Sequence, residues 1–383
     1  MRIAFIFSPI GIRRPIDIDQ IWSSERGLTG SEISFFMQAV ELEKLGHEVC
    51  IFTNLTKPSN LNGIPCIPYE RWETYYCKEN WTAICAWNIA NPLIHARPDN
   101  FRFLSQQCSG LSPSQKGWES YVDILAPLSH SHANQMKPYT KLPPDRWRIL
   151  HNGVDLTRFK SGKKVPGRMI WASSPDRGLH HLLEMWPKIK KVVPHAHLHV
   201  FYDFHSIEHT ANTYFRGANL FLVDDNFELG YRARYILEGL KRMQHLDIKV
   251  FKSASRNRIE EEMQQAEVLA YPLDPVYYTE TFGVVVLEAC ASGVAPVLCA
   301  SDCFPELWGS IAETVPAPYP DHKEEFFDKT IRMLTDGSYR NEVSSRCMKH
   351  AEKFQWSDLA RGLESCLQSR GQTGLSRVNW NVT

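Results

Sequence analysis

Short apolar runs that alternate with segments of helical period constrain this chain most. The opening run "IAFIF" is five residues long and predicts a buried strand. After a loop to Gly30, "SEISFFMQAVELEKLG" sets Ile33, Phe36, Met37 and Val40 at i, i+3, i+4 and i+7, the stripe of an amphipathic helix. Ser31 is its expected N-cap and Gly46 its expected C-terminal stop. "HEVCIFTN" returns as a strand, and "TAICAW", "FRFLSQ" and "DILAPLS" predict three more. Strand, helix, strand in this order calls for a parallel sheet with right-handed crossovers.

From Trp147 the order restarts. "RILHNGVDLTRFKSGKKVPG" has the Gly, Pro and Lys content of a linker; "RMIWASS", "GLHHLLEMWPKIKKVV" and "HLHVFYD" then predict strand, helix and strand. Residues 204–225 show no clear period and are expected to form an insertion or long loop. "YILEGLKRMQ" and "RIEEEMQQA" predict helices, and "IKVFKS" and "EVLAYPL" strands. At 383 residues the chain is long for one core. The expected organisation is a first Rossmann-like domain over 1–155, a second over 165–345, and a closing helix and tail over 346–383.

Composition narrows the function classes. The 43 basic residues balance the 43 acidic ones, which excludes a nucleic-acid-coating or polybasic membrane-anchored surface and leaves peripheral membrane contact at most. The first apolar run is too short for a signal-peptide core, and the longest, 282–300, contains Glu288, Ser292 and Pro296. The expectation is a cytoplasmic protein. Ten cysteines without a C-x-x-C pair fit reduced structural thiols, the close pair Cys299 and Cys303 included. His195, His197 and His199 fall on one face of a strand, but no Cys or carboxylate is spaced to complete a metal site, and "SHSH" at 129–132 is judged alike.

The segment "YTETFGVVVLEACASGVAPV" carries the chemistry. It is apolar enough to be buried, yet holds Glu280 and Glu288, and a buried carboxylate needs hydrogen-bond donors. "EVLAYPL" ends a strand and "VVVLEACASG" is the following helix, so Glu280 lies just before a helix N-terminus and Glu288 inside the helix. The unpaired N–H groups of such a terminus suit a phosphate, and Gly283 leaves room for close approach. Sugar hydroxyls are suitable donors for the glutamates: a ribose diol can give both protons to one carboxylate.

"ETFGVVVLE" followed by "ACASGVAPV" resembles the signature of retaining glycosyltransferases of the GT-B fold, typified by family 4, the glycosyl transferases group 1. "TGSEISFFMQAVELEKLGHEV" is similar to that family's glycine loop and first helix, "HNGVDLTRF" to its interdomain segment, "SSPDRGLHHLL" to its donor-phosphate element and "FQWSDLA" to its final cross-over helix. The resemblance covers nearly the whole chain. It implies an α/β protein with two facing Rossmann-like domains, parallel sheets and an interdomain cleft. It also implies that Glu288 holds the ribose, Glu280 the transferred sugar, the amides of Phe282, Gly283, Val284 and Val285 the phosphates, and Arg177 the charge of the diphosphate leaving group. Gly30 would let backbone approach that diphosphate from the first domain. The implied reaction moves a sugar from a nucleotide-diphosphate sugar to a glycan, lipid-linked sugar or small molecule, with no cofactor and no metal, since Arg177 and a helix terminus carry the charge.

One position departs from the family: where relatives carry a His near the transferred sugar, this chain has Gln106 and Gln107, which cannot titrate. A catalytically degenerate nucleotide-sugar-binding member of the same fold is therefore the alternative. A dinucleotide-dependent enzyme would need G-x-G-x-x-G after the first strand, where only Gly11 stands. The donor base is expected to depend on the segment 251–257, "FKSASRN", and the acceptor on loops such as 8–27 with Arg13 and Arg14. Asp302 and Glu306 are expected to be loop and helix-start residues.

Overall fold

A computed structural model describes residues 1–10, 14–109, 116–215, 224–316 and 321–369; Gly11, Arg13 and the tail 370–383 lie outside the described residues. The chain divides into two units, one made of 1–24, 28–153 and 353–383, the other of 25–27 and 154–352.

In the first unit, β1 (Arg2–Ile6) leads to α1 (Gly30–Lys44) and β2 (Glu48–Thr53), followed by β3 (Ser59–Leu61), β4 (Ile64–Pro68), β5 (Ala83–Trp87), α2 (Asn91–Ile94), β6 (Phe101–Ser105), β7 (Ile124–Ala126) and α3 (His130–Met136). The sheet order is β3-β4-β2-β1-β5-β6-β7, parallel except for the edge strand β3. Phe5, Phe35 and Trp87 pack with centroids 5.2–5.9 Å apart at the centre of one face, where aromatic burial contributes most to the core.

Two local expectations change here. The N-cap of α1 is Thr29, not Ser31: Thr29 Oγ1 accepts from the Glu32 amide at 3.3 Å and Glu32 Oε2 accepts from the Thr29 amide at 2.7 Å, a reciprocal capping box. The helix is also buried nearly all round, including Ser34, Phe35 and Gln38, while Met37 is only half-buried. Gly46, at φ +86°, ends α1 as expected, its amide donating to Glu43 O.

In the second unit, β8 (Arg168–Trp171), α4 (Leu179–Val192), β9 (His197–Phe201), α5 (Phe204–Phe215), α6 (Asp224–Arg242), β10 (Ile248–Phe251), α7 (Arg256–Gln265), β11 (Val268–Tyr271), α8 (Val284–Ala291), β12 (Ala295–Cys299), α9 (Phe304–Leu307), β13 (Glu313–Val315), α10 (Lys323–Thr335) and α11 (Gly337–Ala351) follow one another. The all-parallel order is β10-β9-β8-β11-β12-β13, and it reverses direction between β8 and β11. In open α/β sheets the crevice beyond the carboxyl ends of strands at such a reversal is where ligands bind. The loop expected over 204–225 begins instead with α5, which packs on α6; Phe204, Ile207 and Ala211 keep a helical spacing that intervening His, Thr and Asn residues dilute. Residues 216–223 of that stretch lie outside the described residues.

The last helix, α12 (Trp356–Gln368), returns to the first unit, packing on α1 and placing Leu363 and Leu367 in its core. This contact is what buries the second side of α1. All ten cysteines are free thiols, and among the described residues no helix is long and apolar enough to cross a membrane.

Candidate functional site

The turn between β8 and α4 sets the first element of the site. Gly178 has φ +128°, and a Cβ there would lie 2.1 Å from the Pro272 carbonyl oxygen. Glycine alone permits this approach, which brings the turn at Pro175–Arg177 against the segment that leaves β11. The Asp274 amide donates to the Arg177 carbonyl at 3.4 Å, so the two loops flanking the strand-order reversal are joined through their backbones.

Glu280 stands at this junction, 7% exposed. Its Oε2 accepts from Arg177 Nη1 at 3.0 Å and from the Tyr271 hydroxyl at 2.9 Å, and its Oε1 accepts from the Gly283 amide at 3.0 Å. Tyr271 is itself hydrogen-bonded to Ser173 Oγ at 2.7 Å. The backbone of the loop is held separately: Asp302 Oδ2 accepts from the amides of Thr279 and Glu280 at 2.9 and 2.7 Å. Burial raises the Asp302 pKa, and those two amide bonds oppose the rise. Glu280 thus accepts from the amide of Gly283, the residue that precedes the first turn of α8, and pairs with Arg177 at once. Burial works against the charge of Arg177, but Glu280, Tyr271 and Asp176 more than offset it and raise its pKa above the ordinary value. Arg177 Nε is buried and has no acceptor among the described residues.

Gly283 is the N-cap of α8 at φ +84°, and a Cβ on it would meet Phe304 Cε1 at 2.8 Å. Its amide serves Glu280 and is therefore engaged in the ligand-free chain. Val284 and Val285 occupy the first turn of α8, whose N–H groups have no acceptor within the helix, and Phe282 is buried just before it.

Glu288 lies one turn further along α8, and it meets a partner that sequence reasoning missed. Arg256 Nη2 and Nη1 donate to Glu288 Oε1 and Oε2 at 2.5 and 3.3 Å, and both side chains are buried. The Arg256 guanidinium also covers the Phe159 ring at 5.0 Å. Burial raises the pKa of Glu288, and Arg256 opposes the rise. The available signal was the requirement that a buried carboxylate have a donor, read together with a basic residue in the segment already tied to base recognition, 251–257.

Gly30, in the first unit, is the first residue of α1, directly after the Thr29 cap. Gln106 and Gln107 follow β6 and are buried; Gln107 Nε2 donates to Ser105 Oγ at 2.9 Å and Gln106 Nε2 to Cys108 O at 3.4 Å. The imidazole of this unit's core comes from "SHSH": His132 accepts from the Leu128 amide at Nδ1 and donates to Cys108 O through Nε2, at 3.2 and 2.9 Å. Burial pushes its pKa down to about 4. In the second unit, His199 pairs with Glu262 at 2.7 Å, while His197 contacts the His195 carbonyl and Arg168. The expectation of metal-free chemistry rested in part on the chain lacking a D-x-D pair, and it has one, Asp17-Ile18-Asp19; Asp17 Oδ1 accepts from the Asp19 amide at 3.1 Å and caps a single helical turn.

Two parallel-sheet α/β units, with Glu280 and Arg177 on the loops flanking the second sheet's strand reversal, define a GT-B-type protein. Residues 169–354 match the family model described as Glycosyl transferases group 1, so the second unit is a domain of that family. No curated protein matches the chain in sequence. Among solved structures, the chain is similar to sucrose-phosphate synthase from Thermosynechococcus elongatus, with TM-score 0.68 and 13% identity over 96% of this chain and 99% of that one. It is also similar to AviGT4, a glycosyltransferase involved in avilamycin A biosynthesis, with TM-score 0.66 and 14% identity over 97% and 98% of the chains. A third is Anabaena Alr3699/HepE in complex with UDP and glucose, with TM-score 0.64 and 13% identity over 96% and 100%. At these identities the likeness establishes the fold.

Proposed function

We propose that the protein is a retaining, metal-independent glycosyltransferase that moves a sugar from a nucleotide-diphosphate sugar to the hydroxyl of a glycan, lipid-linked sugar or small molecule. The observation that carries this reading is the Arg177–Glu280 pair beside the N-terminus of α8, at the strand-order reversal. Arg177 and the amides of Val284 and Val285 are suited to the diphosphate, Glu280 to hydroxyls of the transferred sugar, and Glu288, sharing Arg256, to the ribose. The UDP and glucose bound to the Anabaena protein of the same fold favour a uridine nucleotide. The free thiols, eight of them buried, support a reducing compartment such as the cytoplasm.

In this reaction the bond between the anomeric carbon and the leaving phosphate oxygen breaks while the acceptor oxygen bonds to the same face. The acceptor proton passes to the departing phosphate oxygen, releasing nucleoside diphosphate. Charge grows on that oxygen, and fixed donors around it lower the barrier. The deciding experiment is a thermal-shift screen against UDP, GDP, ADP, CMP and TDP sugars, followed by proton NMR of the first-formed product. An axial linkage from an axial donor is expected, and an equatorial one overturns retention.

The buried amides of Gln106 and Gln107 favour a second reading, a nucleotide-sugar-binding member without transfer activity. Donor binding with neither transfer to any acceptor nor donor hydrolysis would select it.

A further inference from the structure

The start of α4 carries a cluster that the proposed reaction does not use. His180 and His181 are neighbours in the chain, and their rings lie 3.9 Å apart, centroid to centroid. His181 Nε2 meets Asp274 Oδ2 at 2.7 Å and His180 Nε2 faces the same oxygen at 4.0 Å. One ligand atom from each of the three residues lies within 4.8 Å of the other two, the one such group of His, Cys, Asp and Glu side chains among the described residues. A His181–Asp274 hydrogen bond accounts for two members. It does not account for His180, whose Nδ1 is buried with no partner among the described residues.

We infer that His180, His181 and Asp274 form a binding site for a divalent transition metal of the zinc class, separate from the sugar-transfer chemistry. Neutral imidazoles and a carboxylate are the zinc donor set. Zinc bonds of about 2 Å in a tetrahedron place donor atoms roughly 3.3 Å apart; the two spacings to Asp274 Oδ2, 2.7 and 4.0 Å, lie within 1 Å of that value, and all three donor atoms lie within 4.8 Å of one another. Metal at His181 Nε2 replaces the proton shared with Asp274 and leaves that ring protonated at Nδ1. The side chains are 11–24% exposed, which leaves an entry path and a fourth position for water.

Arg232 opposes the metal, since its Nη2 lies 3.3 Å from Asp274 Oδ2. It has other partners to keep: Glu228 at 2.7 Å and the Asp274 carbonyl. Because the Asp274 amide is bonded to the Arg177 carbonyl, and Arg232 Nη1 to that of Asp176, occupancy would fasten the segment between β11 and α8 to the start of α4.

The test titrates the chelator-stripped full chain with cobalt, read by visible absorption, and then displaces it with zinc. One saturating equivalent is expected. His180→Ala and Asp274→Asn should each weaken it about 100-fold or more, while exposed His195→Ala leaves it unchanged. Absence of a saturable equivalent, or variants that bind like the wild type, overturns the site. X-ray absorption of the zinc-loaded wild type keeps the test independent of variant folding. Nitrogen and oxygen ligands with two imidazoles support the assignment, and a sulfur ligand, as from exposed Cys108, overturns it.

Discussion

Arg256 holds both carboxylate oxygens of Glu288 with both of its terminal nitrogens, across 32 residues of chain and with both side chains buried. This pair makes Glu288 a structural element as well as a candidate ribose acceptor. Glu288→Ala should weaken donor binding and also cost stability, about 3–5 kcal/mol, because it leaves the Arg256 charge buried and uncompensated. The double variant Arg256→Met, Glu288→Leu should recover most of that stability without recovering donor binding. Urea denaturation and calorimetric titration read the two effects separately; a fully stable Glu288→Ala variant contradicts the first.

Arg177→Ala should weaken binding of a nucleoside diphosphate far more than that of the free nucleoside, since the guanidinium faces the position proposed for the leaving group. Calorimetry with both ligands checks this. Equal losses would make Arg177 purely a partner for Glu280.

Glu280→Gln should lower turnover without abolishing it. The amide oxygen still accepts one hydrogen bond from the sugar, whereas the Arg177, Tyr271 and Gly283 donors now compete for a single oxygen. Steady-state kinetics on the donor decide it, and complete loss would point to an obligatory charge at this position.

Turnover should survive EDTA, because Arg177 and the first turn of α8 supply the positive charge near the leaving group. Chelation should lower only the melting temperature, through the His180 cluster. Activity abolished by EDTA and restored by magnesium or manganese would refute metal independence.

His132 is neutral in the fold, with its pKa pushed down to about 4 from an ordinary value of about 6.5. The unfolded chain therefore binds the extra proton between those limits. Its contribution to stability is complete above pH 6.5 and falls away as the pH drops toward 4, by up to about 3 kcal/mol. Denaturation at pH 7.5 and 5 should show this loss, and His132→Asn should show a shallower one. Equal slopes in the two proteins would remove His132 as the cause.

Local pattern carried much of this protein into view. Runs such as "IAFIF" and "EVLAYPL" are strands because side-chain period and the bounding turns are properties of contiguous residues. The same holds for α8, which puts Glu280 before a helix start and Glu288 inside it wherever the helix packs. Thr29, α5 and the burial of α1 were harder. The cap lies two residues before Ser31, polar residues dilute the α5 stripe, and α1 is covered by a helix more than 300 residues later. Arg256, Tyr271 and Asp274 become site residues only when separate loops meet at the reversal between β8 and β11. Periodicity is written along the chain, but ion pairs and metal-ligand distances are set between segments, by which strands adjoin and by the close approach to the Pro272 carbonyl that Gly178 allows because it has no Cβ.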